Sequence, residues 1–207
     1  MEAGMSQGVT TKVGIIGTAG RGADAARLNK DLFDAMVYQA IHLIEEEFKL
    51  EWERVHLVSG GAAWADHVAV TLWNMGKCLG KRQPSKLTVY MPCQWDLKQQ
   101  RYHDDGRVDW RSNPGGTSHY YHRLFSQKLR CNTLAGIHQA ASSGAVLDSS
   151  HKGLFQRNTA VAANVDYLIA FTFLPFSDGG TKHTWDSCPS SVRKVHVPLD
   201  TLRTDRT

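Results

Sequence analysis

The sequence predicts an α/β fold, with a Rossmann-like open, mainly parallel sheet and helices on both faces. Three observations predict it. Short runs rich in β-branched residues alternate with segments whose apolar residues recur at helical spacing. Glycine clusters follow several of those runs, where a strand would meet a loop. The length of 207 residues suits one sizeable core, so we expect a single domain over residues 12–200.

The first strand and the first helix have the clearest local signals. Residues 12–17, KVGIIG, form a β-branched run that leads into the glycine loop TAGRG. Asn29 is a residue type favoured at a helix N-cap, and apolar residues recur at helical spacing from Leu32 to Ile44. The pattern therefore predicts one long helix that reaches the acidic run 45–47.

The later elements continue the alternation. We predict further strands at 55–58, 87–92, 166–173 and 194–199. We predict further helices after a turn at 59–66, from Ser118 to Leu129, from Asn132 or Thr133 to Ala141, and at 154–164. The segments 147–153 and 177–186 are expected to be loops.

One long polar segment interrupts the alternation after Pro92. Residues 93–117 are rich in Gln, Arg and Asp, include Trp95 and Trp110, and end near the turn-forming sequence NPGG. A loop of this length in a compact domain is usually functional or disordered. We therefore expect a polar insertion over about 93–117 and consider it a candidate lid.

The composition predicts where in the cell the protein is found. Hydrophobic residues make up 42% and charged residues 21%, which is ordinary for a globular protein. No segment has the roughly 18 uncharged apolar residues of a membrane span, so no membrane partner is expected. Residues 1–11 lack the pattern of a secretory signal, which favours a disordered leader and a cytoplasmic protein, and residues 201–207 are expected to be a tail. The 4 cysteines form no C-x-x-C pair, which argues against a zinc ribbon or a disulfide framework.

The charge favours an anionic partner. The formal net charge is +4, but the lysines and arginines are scattered rather than gathered in a dense run. This distribution suits a small phosphorylated ligand at least as well as nucleic acid.

Three glycine-bearing loops follow predicted strands: GTAGR, SGGAAWAD and GGTKHTWD. In an open parallel sheet, ligands bind at the carboxyl ends of the strands, so these loops are expected to converge. Loops that open helices offer free N–H groups and a positive dipole end to an anion, which predicts a phosphate site. Neither the dinucleotide fingerprint nor the P-loop motif is present, and no cofactor is expected.

With FQRN ahead of VDYLIAFT, these loops resemble the SLOG superfamily in order and spacing. Those Rossmann-like domains include the DNA-processing protein A fold and the "lonely guy" phosphoribohydrolases, often labelled lysine decarboxylases. The resemblance covers most of residues 12–199 apart from the insertion. It implies a nucleotide or nucleotide-derived ligand and a tendency to form homodimers.

Carried over by position, the resemblance implies a set of ligand-binding residues on the glycine loops and before the core strand. They are Gly17, Arg21, Gly60, Gly61, Asp66, Gly179, Gly180 and Thr181. Four residues on the same segments, Thr18, Ser59, Asn158 and His183, are further candidates for binding the ligand because of their position.

The resemblance also implies two candidate catalytic residues, Asp186 and Arg157. In the phosphoribohydrolases the last loop reads P-G-G-x-G-T-x-x-E, and its glutamate helps to break an N-glycosidic bond. Here Asp186 stands in the place of that glutamate, Lys182 replaces a glycine, and the proline is absent. A carboxylate beside the anomeric carbon would stabilise oxocarbenium-like charge, and Arg157 would orient the ligand.

Three functions remain open. The first is binding of a nucleotide or nucleotide-derived molecule, as a sensor or signal-binding module. The alternatives are an N-glycosidase acting on a nucleoside monophosphate, and a protein that binds single-stranded DNA, which the scattered basic residues favour less. Asp66 has a second interpretation as a charge at the start of a helix, and the arginines as salt-bridge residues. The histidines at 103, 119 and 122 lack the spacing of a known metal motif, and no metal is expected.

Overall fold

The computed structural model describes residues 10–176 and 179–202. Its centre is a six-stranded, all-parallel sheet with the strand order β6-β3-β2-β1-β7-β8. The strands are β1 (Thr11–Gly17), β2 (Val55–Ser59), β3 (Lys86–Tyr90), β6 (Val146–Asp148), β7 (Tyr167–Thr172) and β8 (Arg193–Pro198). A separate antiparallel pair consists of β4 (Trp95–Asp96) and β5 (Arg101–Tyr102). Residues 1–9 of the predicted leader and 203–207 of the predicted tail lie outside the described residues.

Seven α-helices accompany the sheet in the described part of the chain. They are α1 (Asp24–Arg27), α2 (Lys30–His42), α3 (His67–Leu79), α4 (Pro114–Leu129), α5 (Thr133–Ser142), α6 (Leu154–Ala162) and α7 (Gly179–Ser187). Helix α2 continues as a π-helical turn at Leu43–Glu47. None of the described helices has the length and apolar character needed to cross a membrane.

The sheet is covered on both faces, which confirms the predicted Rossmann-like α/β class. Residues of β1 alternate between the two sides: Ile15 belongs to the core cluster that includes α2 and α3, and Ile16 to the cluster that includes α6. A parallel strand buried on both faces has a nearly continuous apolar sequence. That property explains why the central strands were predictable within one or two residues.

Side-chain caps define the starts of two predicted helices. The Asn29 side chain accepts a hydrogen bond from the backbone N–H of Leu32 at 2.9 Å. The Asn132 side chain accepts one from Leu134 at 3.1 Å. Both contacts satisfy N–H groups that have no partner within the helix.

The prediction that α4 begins at Ser118 is wrong, because the helix begins four residues earlier, at Pro114. Asn113 is the N-cap, with its side chain accepting from the Gly116 N–H at 2.9 Å, and Pro114 occupies the first helical position. The fixed φ of proline suits that position. The Ser118 hydroxyl instead donates to the Pro114 carbonyl at 2.8 Å, inside the helix.

Two predicted loops contain regular structure. Within 147–153, Leu147 and Asp148 belong to β6, which pairs with the edge of β3. Within 177–186, the residues from Gly179 onward form α7, and residues 177 and 178 lie outside the described range. A short edge strand depends on pairing with its neighbour, and a short helix depends on packing. Local sequence patterns indicate both contacts only weakly.

The insertion is anchored in the core rather than being a free loop. Its β4-β5 hairpin places Tyr102 at 0% exposure, in edge-to-face contact with Trp95 at 5.1 Å between ring centroids. Its last residues, from Pro114, form the first turn of α4.

The strand order reverses between β1 and β7. From β1 the chain adds β2 and β3 on one side, and β7 with β8 on the other. In open α/β sheets this topological switch point is where a crevice forms at the carboxyl ends of the strands.

Candidate ligand-binding cleft

A cleft of about 450 Å³ lies at the switch point, at the carboxyl ends of β1 and β7. This volume falls in the range of small-molecule sites, roughly 300–1,000 Å³. The structure brings ten of the predicted site residues to its lining. They are Gly17, Thr18, Arg21, Gly60, Asp66, Arg157, Asn158, Gly179, Gly180 and Thr181.

The loop after β1 is held by close packing. A Cβ atom on Gly17 would lie 2.0 Å from the carbonyl oxygen of Phe171, so only glycine fits between β1 and β7 here. The Thr18 hydroxyl donates to the Asp24 carboxylate at 2.6 Å and accepts from the Gly20 N–H at 3.1 Å. These contacts fix the start of the loop.

The N–H groups of the loop after β2 form hydrogen bonds within the loop itself. The Gly60 N–H donates to Oδ2 of Asp66 at 3.1 Å, and the Gly61 N–H donates to the Ser59 hydroxyl at 3.1 Å. The Ala62 N–H lies 3.5 Å from the same Asp66 oxygen. The expectation that these groups offer free donors to a phosphate is therefore wrong, because a side chain of the protein occupies the position of the anion.

Ser59 and Gly61 lie outside the cleft lining. Gly61 has φ +69°, in the left-handed region that favours glycine, and its carbonyl accepts two hydrogen bonds from buried side chains. The Tyr102 hydroxyl donates at 2.5 Å and Nε2 of His122 at 3.0 Å. Since a carbonyl only accepts, His122 carries its proton on Nε2, and its Nδ1 accepts from the Thr133 hydroxyl at 3.0 Å.

Arg157 projects from α6 into the buried part of the cleft. It is 7% exposed and Asp66 is 6% exposed. Nη1 of Arg157 donates to the Gly60 carbonyl and lies 3.5 Å from Oδ2 of Asp66. Its Nε is buried and has no hydrogen-bond partner among the described residues. Arg157 is therefore a buried cation whose hydrogen-bonding capacity is only partly used.

The electrostatics of this pair reflect its burial. Burial raises the pKa of the Asp66 carboxyl, against the opposing effects of Arg157 and of the backbone N–H groups. Burial lowers the pKa of Arg157, against the opposing effect of Asp66. A guanidinium is not deprotonated in proteins, so Arg157 remains a cation at neutral pH.

Helix α7 directs its first turn into the cleft. The Thr181 hydroxyl donates to the Gly17 carbonyl at 2.7 Å, and Nδ2 of Asn158 donates to the Gly180 carbonyl at 3.2 Å. Backbone N–H groups in a first helical turn have no partner within the helix, and the dipole favours an anion near them. The first turn of α7 is thus fixed against both β1 and α6.

Asp186 and His183 are not brought to the cleft. Asp186 lies on another side of α7, where its carboxylate contacts the ammonium of Lys182 at 2.6 Å, and its side chain is 56% exposed. The ring of His183 packs edge-on against Phe155, with centroids 5.3 Å apart. Residues 180, 181 and 184 face the cleft, whereas 182, 183 and 186 do not. The helical path of this segment separates the candidate catalytic carboxylate from the other site residues.

Several residues of the cleft lining were not predicted from the sequence. They include Asp24, Arg27, Ala62, Thr184, the last residue of β7 and the segment 173–176 that follows it. The end of β7 was detectable in principle, because a strand next to the switch point contributes its carboxyl end to the crevice. Arg27 had no such signal, since its pairing with Asp200 depends on the fold.

The histidines at 103, 119 and 122 are not gathered into a three-ligand cluster in the described part of the chain. Within residues 10–176 and 179–202, no group of three His, Cys, Asp or Glu side chains is arranged to hold a metal ion. Both ring nitrogens of His122 have protein partners, and burial lowers its pKa to about 4.

The comparisons with known proteins establish a family relationship. No model of a known protein family matches the chain. "Uncharacterized protein R261" of Acanthamoeba polyphaga mimivirus is 31% identical over 189 residues, covering 91% of this chain and 96% of the viral protein. The chain belongs to the same family as this mimivirus protein.

Proposed function

We propose that the chain binds a nucleotide or nucleotide-derived small molecule, with its phosphate in the cleft, and acts as a binding or sensing module. The observation that carries this proposal is the position of Arg157. It is a buried cation in a cleft of ligand size, with a hydrogen-bond donor that no described residue satisfies. Charge-assisted hydrogen bonds from a guanidinium are the preferred means of holding a phosphate.

The arginines that line the cleft support an anionic ligand, and the Asp24 carboxylate in the same lining accepts a hydrogen bond from the Thr18 hydroxyl. Arg27 pairs with Asp200 and Arg157 with Asp66, whereas Arg21 forms no ion pair within the described part of the chain. Arg21 lies at the cleft with an exposed side chain. A phosphate would supply the countercharge that Arg21 lacks.

The first turn of α7 adds a second element of anion recognition. Gly180 and Thr181 line the cleft, and the Thr181–Gly17 hydrogen bond fixes them beside the first loop. The N-terminus of a helix attracts phosphate through its free N–H groups and its dipole. The glycine loops and FQRN also resemble those of the SLOG superfamily, which supports a nucleotide as the carrier of the phosphate.

The geometry favours binding over N-glycosidic cleavage through Asp186. The Asp186 carboxylate is paired with Lys182 on a side of α7 that does not line the cleft. A nucleophile or charge-stabilising group must lie within about 3–3.5 Å of the reacting carbon. We therefore expect a bound nucleoside monophosphate to be recovered intact, which chromatography of the incubation mixture measures.

A thermal-shift panel tests the binding proposal. The panel contains nucleoside 5′-monophosphates, cyclic nucleotides, ADP-ribose and ribose 5-phosphate, with adenosine as the control that lacks a phosphate. A ligand at a hundred times its Kd adds roughly 2.7 kcal/mol, which corresponds to a rise in Tm of roughly 5–10 °C for a domain of this size. Phosphorylated members are expected to raise Tm, and adenosine much less.

Two arginine variants make the test specific. Arg21→Ala is expected to weaken the binding of phosphorylated ligands, whereas Arg54→Ala, which removes an exposed charge away from the cleft, is not. If no phosphorylated compound changes Tm, or if both variants respond alike, the proposal is wrong.

A further inference from the structure

A second cavity of about 410 Å³ lies between the insertion and α4. Three aromatic side chains contribute to its lining: Trp110 from the insertion, and Tyr120 and Tyr121 from α4. We call it the aromatic cavity. Trp110 is 40% exposed and Tyr120 is 50% exposed. Two large aromatic side chains that are partly exposed thus line one small concavity, where a ligand would cover part of their surface.

Arg21 connects the aromatic cavity with the cleft. Its guanidinium carbon lies 5.8 Å from the ring centroid of Trp110 and 5.4 Å from that of Tyr121, while Arg21 itself lines the cleft. Both distances are within cation–π range. Arg21 therefore links the cleft lining to two of the rings that line the aromatic cavity.

Key polar side chains of the aromatic cavity are engaged within the protein. Nδ2 of Asn113 donates to Asp104 at 2.7 Å and to the Arg107 carbonyl at 2.8 Å, and its Oδ1 accepts from Gly116. The Thr117 hydroxyl donates to the Trp110 carbonyl at 3.3 Å. With these polar groups engaged, a ligand in the cavity would contact mainly the aromatic rings, and a planar aromatic group suits such a contact. The guanidinium of Arg111 also lies near Trp110, 4.9 Å from its ring centroid.

We infer that the aromatic cavity holds the nucleobase of the ligand whose phosphate occupies the cleft. This inference rests on the proposed function. Arg21 would then lie between the two parts of the ligand, held by Trp110 and Tyr121 and free to contact an anion. Stacking on aromatic rings accepts any base, so the site selects for the presence of a base more than for its identity. The insertion is accordingly part of the binding site and not only a cover.

Isothermal titration with AMP, GMP, UMP and ribose 5-phosphate tests this inference. Base stacking is worth roughly 1–3 kcal/mol on alanine substitution, so Trp110→Ala is expected to raise the Kd of each nucleoside monophosphate about tenfold. The same variant is expected to raise the Kd of ribose 5-phosphate much less, because that ligand has no base and Arg21 keeps its contact with the Tyr121 ring. Trp110→Phe retains a ring and should restore most of the affinity.

A matched control lies in the same insertion. Leu97 is 60% exposed and lines neither cavity, so Leu97→Ala is expected to leave every Kd unchanged. Circular dichroism of each variant shows whether the fold is retained.

The outcomes separate the two proposals. If nucleotides bind and Trp110→Ala does not change their Kd, or changes it equally for ribose 5-phosphate, the base site is wrong while phosphate binding stands. If neither the nucleotides nor ribose 5-phosphate binds to the unaltered protein, the proposed function is wrong and the base site falls with it.

Discussion

Arg157 and Asp66 meet 3.5 Å apart in the buried part of the cleft, although 91 positions separate them in the sequence. Helix α6 supplies the arginine, and the turn before α3 supplies the aspartate. The same Asp66 oxygen accepts from the Gly60 N–H at 3.1 Å. The pair therefore joins the glycine turn after β2 to helix α6, and it places a cation in the lining of the cleft.

A double-mutant cycle tests this pair. Removing one partner of a buried ion pair leaves an uncompensated charge and typically costs about 3–5 kcal/mol. Asp66→Asn and Arg157→Gln are each expected to lower the free energy of unfolding by about that amount, and the double variant by clearly less than their sum. Urea unfolding measures all four proteins. Additive losses would show that the two side chains do not interact.

The hydroxyl of Tyr102 is expected to stabilise the glycine turn. It donates to the Gly61 carbonyl at 2.5 Å from a fully buried ring. Tyr102→Phe removes this donor but leaves His122 on the same carbonyl, so we expect a loss of about 1 kcal/mol in the free energy of unfolding. Tyr120→Phe is the matched control, since its ring is 50% exposed, and it should change stability little. Equal effects of the two variants in urea unfolding would contradict this role.

Protonation of His122 is expected to weaken the fold in mild acid. Burial lowers its pKa in the folded protein from 6.5 to about 4. The free energy of unfolding is therefore fully retained above pH 6.5 and falls as the pH falls toward 4, because the unfolded state then binds a proton that the folded state does not. The total loss from this pKa difference is roughly 3 kcal/mol. Burial also lowers the pKa of the neighbouring His67, so more than one histidine contributes to the pH dependence of the wild-type protein.

His122→Gln isolates the contribution of this one group. The variant has no titrating ring at this position, so its free energy of unfolding should fall less steeply between pH 6.5 and 4.5 than that of the wild type. Urea unfolding at several pH values gives both curves. Parallel curves would show that His122 does not carry the effect.

Asp186→Asn is expected to leave both stability and ligand binding nearly unchanged. Its exposed ion pair with Lys182 is worth about 0.3–0.5 kcal/mol, and its carboxylate does not line the cleft. Thr181→Val is the contrasting change on the same helix, because it removes the hydrogen bond to Gly17 and should weaken nucleotide binding. A loss of binding in Asp186→Asn, measured by isothermal titration, would show that Asp186 does take part in the binding site.

The sequence predicted the central sheet because its strands are buried on both faces. Residues 167–172 form one apolar run, and nothing beyond local pattern was needed to recognise it. The edge strand β6 was missed, since its three residues depend on pairing with β3. Helix α7 was missed because its two glycines resemble a loop, and its hydrogen bonds to β1 and α6 are long-range contacts.

The site was predictable in part for the same physical reasons. Parallel strands deliver their carboxyl ends to one edge, so the convergence of the glycine loops near Arg157 followed from topology. The engagement of the Gly60 N–H by Asp66 depends on how a turn folds back on itself. The exclusion of Asp186 depends on which side of α7 faces the cleft. Neither property is encoded in motif spacing.

A phosphate-bearing ligand is proposed to lie against the first turn of α7 and Arg157. Titration of ¹⁵N-labelled protein with AMP, followed by two-dimensional ¹H–¹⁵N NMR, locates the ligand on the protein. AMP is expected to cause saturable shifts of the backbone N–H signals of Gly180 and Thr181 and of the Arg157 Nε–H signal, with the Gly136 signal on α5 unmoved. Saturation with AMP that leaves all three of those signals in place would contradict it.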